Sequence, residues 1–178
     1  RRVLRGELSA SASTALLLEY EAVVTRPEHL QAAGFTHDEA LVVVDALAAT
    51  MTEAEFWTRP YPYGNSAGHL LLHVTGNLNY YVGTQIAGTG YVRHRDLEFT
   101  DPARRPKADV LRDLTAAVDM VKAAIAAQSA ADWSLPYEAK GSDDPDRFSI
   151  VLRCTHHFHH HLGQMVYLAK EHAVRRGQ

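Results

Sequence analysis

Five of the chain's 11 histidines fall in Thr155–His161, THHFHHH, and that heptapeptide sits inside a helical pattern rather than at a chain end. An expression tag would trail off after it. Here the apolar spacing continues on both sides, as Val151 (or Ile150), Cys154, His157 and Phe158, His161, Met165 and Leu168. Two histidines therefore occupy places where a packed helix expects leucines. At 100° per residue, His157 and His161 lie about 40° apart, one turn apart along the axis. Two imidazoles so placed can offer their nitrogens to one ion. Buried without partners they would cost free energy, and a metal satisfies one nitrogen on each while taking the neutral form that burial favours. The plainer alternative is a pair of core histidines bonded to backbone or tyrosine oxygens.

A metal needs a third ligand from elsewhere. GHLLLHVTGNL offers His69 and His73, again at i, i+4, and spacing does not choose between them. Asp45, Asp96 and Glu98 are further oxygen donors. His159 points about 160° from His157 and is expected in solvent. His156 and His160 share a flank better suited to an interface than to a second metal. His29, His37, His94 and His172 stand alone and read as exposed. Cys154 reads as a small buried apolar residue rather than a thiolate ligand. Gln164 can hydrogen-bond near the cluster, and glycines 64, 68 and 76 read as turn and packing residues.

The rest of the chain reads as helices divided by Pro, Gly and Asp, with no alternating strand pattern. Thr14–Val24 is a short candidate helix. Thr36 to Glu39 and Thr52 to Glu55 are capping boxes, the first opening a stripe of Val44, Leu47, Ala48 and Met51. Asn65 or Ser66 caps a helix ending near Ala87. Pro106 is expected in the first turn of a helix carrying Val110, Leu111, Leu114, Val118, Val121 and Ile125. Asp144-Pro145 is expected to open the last helix, which runs to about Ala173. Four substantial amphipathic helices predict an all-α fold, an antiparallel four-helix bundle over residues 36–174, with residues 1–35 as an N-terminal extension.

At 178 residues the chain is long enough to build a core without staples. Its net charge of −3 gives no electrostatic case for nucleic acid, and no apolar run approaches a membrane span. RRVLRG is basic but lacks the apolar core and cleavage site of a signal peptide, and the lone Cys154 fits a reducing compartment, so the cytoplasm is the expected location. No GxGxxG, P-loop, GxSxG, CxxC or EF-hand spacing occurs, and Phe158 stands where the glutamate of HExxH would be.

NSAGHLLLHVTGNL (Asn65–Leu78), RHRDLEF (Arg93–Phe99) and HFHHHLGQMVYLAK (His157–Lys170) together resemble the DinB-like superfamily of metal-binding four-helix bundles. Within it they resemble an uncharacterised bacterial branch with the pattern NS-x-x-x-L-x-x-H-x-x-GN and a late H-x-x-x-H-x-GQ. The resemblance covers roughly residues 36–172. It implies that His73, His157 and His161 are the metal ligands, with zinc or nickel as the ion. It also implies homodimers and, from some relatives, thiol S-transfer with a low-molecular-weight thiol cofactor and a small electrophile. A metal-dependent hydrolase and a non-enzymatic metal-binding or stress-response protein are the alternatives. It names no general base.

Overall fold

A computed structural model describes residues 37–100 and 102–177, with side chains from Leu41 onward. The candidate helix Thr14–Val24, the capping box at Thr36 and the stretch 1–35 lie outside the described residues. A unit spanning Glu39–Gln178 holds all the packing considered below.

The fold is all-α, as expected. The α-helices are α1 His37–Ala49, α2 Glu53–Trp57, α3 Ala67–Leu78, α4 Leu97–Thr100, α5 Lys107–Ala126 and α6 Arg147–Arg175. A π-helical segment, Asn79–Thr84, continues α3 towards the expected end near Ala87, and Asp132–Ser134 is a 3-10 turn. Among the described residues the nearest thing to a strand is a single bridge between Pro136 and Asp146. None of the described helices is long and apolar enough to cross a membrane.

The four longest helices share one core. Val44, Ala48 and Met51 come from α1 and its exit. Leu70, Leu71 and Val74 come from α3, Val110, Leu114 and Val118 from α5, and Ile150, Cys154, Phe158 and Met165 from α6. Helix α3 is central and packs against α2, α4, α5 and α6. Its approach to α2 depends on Gly68, where a β-carbon would stand 2.6 Å from the Trp57 ring. Lys107 ties α5 to α1 and the turn after it, its Nζ donating to the Ala48 and Met51 carbonyls at 2.8 and 2.7 Å.

Local signals set most of the helix starts. At α2 the expected capping box forms: Thr52 Oγ1 accepts from Glu55 N–H, and Glu55 Oε2 accepts from Thr52 N–H. Ser66, rather than Asn65, caps α3 by accepting from His69 N–H. Two starts differ from expectation. Pro106 has ψ 135° and is the N-cap of α5 rather than a residue of its first turn. Asp146, not Asp144, caps α6, accepting from Ser149 N–H at 2.8 Å. The reason is non-local. Tyr137 N–H and Arg147 N–H bond the Pro145 and Leu135 carbonyls, which holds the chain through Asp146 extended. We expect Asp146→Ala to cost about 1 kcal/mol of stability in urea unfolding, and an unchanged midpoint would remove this cap from the account.

Candidate metal centre

Helix α6 is one continuous run of 29 residues, about 44 Å long, and His157 and His161 lie near its middle. His161 is buried and His157 half-buried, as the core stripe requires, and its first apolar member is Ile150 rather than Val151. His73 comes from α3, which packs directly on α6, and is 6% exposed. The three side chains meet. His157 Nε2 is 2.9 Å from His73 Nε2 and 3.2 Å from His161 Nε2. Among the described residues, these three form the group of side chains able to hold a metal ion.

The neighbours decide which nitrogens face one another. Glu98 Oε2 lies 2.7 Å from His73 Nδ1, and as a carboxylate it can only accept. Nδ1 therefore carries the proton and Nε2 the lone pair. Gln164 Oε1 lies 2.7 Å from His161 Nδ1, where it accepts from that ring's Nδ1–H and leaves Nε2 towards the cluster. A proton on His157 Nε2 can point to only one of its two neighbours, whereas a cation satisfies all three lone pairs together. The separations also fit: nitrogens held about 2.0–2.1 Å from one ion at octahedral to tetrahedral angles stand about 2.9–3.4 Å apart. Three neutral imidazoles suit zinc, nickel and other first-row divalent ions.

Glu98 is itself held. Arg93 Nε donates to Oε1 at 2.7 Å and Nη2 to Oε2 at 2.9 Å, a two-pronged pair in which both side chains are under a tenth exposed. Burial pushes the Glu98 carboxyl up, but the hydrogen bonds and charge of His73 and Arg93 outweigh it and leave it below the usual range. The carboxylate fits because residue 76 is glycine, where a β-carbon would stand 2.1 Å from Glu98 Oε1. Glu98 is thus a partner of His73 and not an alternative oxygen ligand. Asp45 and Asp96 are exposed and outside the group.

The other histidines divide. His69 bonds Ser66 Oγ at 2.6 Å, away from the cluster. His94, His156, His159 and His160 are exposed, and His160 lies beside Gln164. His172 is 4% exposed, against expectation, because α6 runs on to Arg175 and its last turns are bound to α2 and its exit through Arg176–Glu55 and Tyr61–Glu171. Cys154 is a buried free thiol that burial pushes up to about 12, consistent with a packing residue.

Burial, followed by the nearby His161 and His73, lowers His157 to about 4. Its unfolded value is near 6.5, so between the two the unfolded chain binds more protons. The stability this contributes is present above about 6.5 and lost as pH falls through about 4. Metal-free protein should therefore melt at progressively lower temperature from pH 7 to pH 4, and His157→Gln should flatten that slope. Equal slopes for the two proteins would contradict the assignment.

A family model described as the DinB superfamily matches residues 36–165. The chain belongs to the DinB superfamily. Metal binding is typical of that superfamily, and the histidine group above is what this member offers for it. A conserved protein from Enterococcus faecalis, solved by crystallography, is similar with a TM-score of 0.61 at 21% identity, over 75% of this chain and 91% of that one. At that identity the likeness speaks for the fold alone. No curated protein matches the chain.

The sequence offered Glu98 as a possible oxygen ligand and Gly76 as a packing residue, but it did not announce Glu98 as the partner of His73, nor Arg93 or Gly76 as its supports. The motif RHRDLEF contains Arg93 and Glu98, but their link to His73 crosses a loop of no regular period. His161 and Gln164, three residues apart on one helix, carried a readable signal.

Proposed function

We propose that this DinB-superfamily protein binds one divalent first-row ion, zinc or nickel, on His73, His157 and His161, and serves as a metal-dependent thiol S-transferase for small electrophiles. The observation carrying the reading is that three imidazole nitrogens converge beside a cleft of about 620 Å³, whose lining includes His73, His157 and Tyr80. Three neutral ligands, two of them (His73 and His157) on the wall of a cleft, would leave coordination positions open towards it, which is how catalytic sites differ from closed structural ones. A purely structural metal, by contrast, calls for a closed, dry site.

When bound, a divalent ion there supplies a Lewis acid that lowers the pKa of a coordinated thiol or water and polarises an electrophile. The chain's own residues prepare that position. Glu98 accepts a hydrogen bond from His73 Nδ1–H and so aims its Nε2, and Arg93 keeps Glu98 ionised and fixed. Gln164 does the same for His161. Tyr80 and Tyr81 form an aromatic wall of the cleft, the Tyr81 hydroxyl donating to the Gly141 carbonyl at 3.0 Å. The thiol would come from outside, since Cys154 is held as the neutral form. Thiol transfer itself rests on the family resemblance, an argument by association.

The test is elemental analysis of untagged protein never passed over a nickel column, followed by a screen of low-molecular-weight thiols with electrophiles. About one ion per chain and a metal-dependent loss of free thiol support the proposal. Folded protein that contains no metal and takes up none would end it.

A further inference from the structure

The cleft beside the histidines is cationic in a chain whose net charge is −3. Arg93, Arg95, Lys140 and Arg153 line it, and no carboxylate does. Two of these are committed: Arg93 to Glu98, and Arg153 Nε to Asp144 at 2.8 Å. Arg95 and Lys140 are exposed and have no acidic partner among the described residues. Two residues of this wall also carry buried, orphaned polar atoms. Asn77 is 9% exposed and its Oδ1 has no hydrogen-bond partner among the described residues, and neither has Nη2 of Arg153. Native interiors rarely leave such atoms unpaired without a reason, and a bound ligand is one.

Like charges gathered at the mouth of a concave site repel one another in the empty protein. They repay that cost by drawing in a counter-charge. The guanidinium of Arg153 stacks over the Tyr81 ring at 4.6 Å, which keeps it at the wall and restricts its motion. Nη2 and Asn77 Oδ1 are both buried as the side chains stand. It is therefore the exposed part of the Arg153 guanidinium, with Lys140 and Arg95, that meets an oxyanion, and a turn of the Asn77 amide would bring it to a neighbouring hydroxyl or amine on the same molecule.

We infer that this cleft receives a small organic oxyanion, a carboxylate or phosphate carried by the substrate, with Arg153, Lys140 and Arg95 recognising the charge and Asn77 an adjacent donor. The inference names the substrate class for the proposed metal site and rests on that reading only for what happens next, since the charge recognition needs no metal.

The experiment is calorimetric titration of zinc-loaded protein with benzoate, phenyl phosphate and neutral benzyl alcohol, at low and high salt. The variants are Arg95→Gln/Lys140→Gln, both exposed positions whose loss leaves the core intact, and Arg153→Lys, which keeps the charge but loses the fork and should weaken anion binding less than the double variant. His157→Ala, titrated without zinc, is the metal control. An anion should bind at least ~10-fold tighter than benzyl alcohol, weaken with salt, and lose about that factor in the double variant. Tighter binding of benzoate or of phenyl phosphate identifies the group as carboxylate or phosphate. Anions that bind no tighter than the alcohol overturn the inference. So do anions that bind equally well to the double variant and only when His157 is intact, because that result places them on the metal alone. Loss of metal uptake with anion binding unchanged would fail the metal reading and leave this one standing.

Discussion

His73→Ala, His157→Ala and His161→Ala are each expected to lose the bound divalent ion, while His159→Ala keeps it. The two classes of variant differ by position around the helices and not by chemistry. His157 and His161 face α3 from one side of α6, His73 faces them from α3, and His159 lies exposed on the far side. Removing even a residue that only positions a ligand typically costs 10–100-fold in metal affinity, so removal of a ligand should cost more than about 100-fold. Competition titration against a chromophoric chelator reads this directly. If His159→Ala lost metal as completely as His157→Ala, the ion would be held by the histidine-rich surface and not by the triad.

The second large effect is expected at Glu98. Glu98→Ala takes away the partner of both His73 and a guanidinium that is 9% exposed. An uncompensated charge of this kind costs about 3–5 kcal/mol, and we expect the lower end because Arg93 also borders the cleft. Glu98→Gln keeps the shape and one acceptor, so it should retain most of the stability yet still lower metal affinity by roughly 10-fold. Urea unfolding of metal-free protein and metal titration separate the two effects. A Glu98→Ala protein as stable as its parent would show that water from the cleft replaces the carboxylate at no cost.

The helices were legible in the sequence wherever the decisive forces were local. The capping box at Thr52 and the serine cap at Ser66 act within three residues, and the apolar stripes of α5 and α6 are periodic, so both kinds of signal survive in a one-dimensional reading. What failed was decided across the chain. Asp144-Pro145 has the right residues to open α6, but pairing with Leu135 and Tyr137 postpones the start to Arg147. His172 looked solitary because nothing near it in sequence says that α2 and its exit lie against the end of α6.

The centre divides along the same line. His157 and His161 could be found because one helix presents both. His73 could not be told from His69 by spacing, since both sit one turn apart on the same helix. The choice depends on which flank of α3 faces α6, and the family resemblance, not periodicity, pointed to His73. Glu98 is a clearer case: four residues of helix after a polar loop carry no period, and its role exists only because α4 lies against α3.

Gly76 carries a consequence for anyone who would engineer this protein. Glycine inside a helix is ordinarily the first target for improvement, because alanine there gains about 1 kcal/mol in helix propensity. At this position the missing methyl is the space in which a carboxylate oxygen sits. A stabilisation campaign scoring helices one residue at a time would select Gly76→Ala early and evict the group that aims His73. The chain retains a weak point in its central helix, and that weak point marks where thermal robustness and chemistry draw on the same few ångströms.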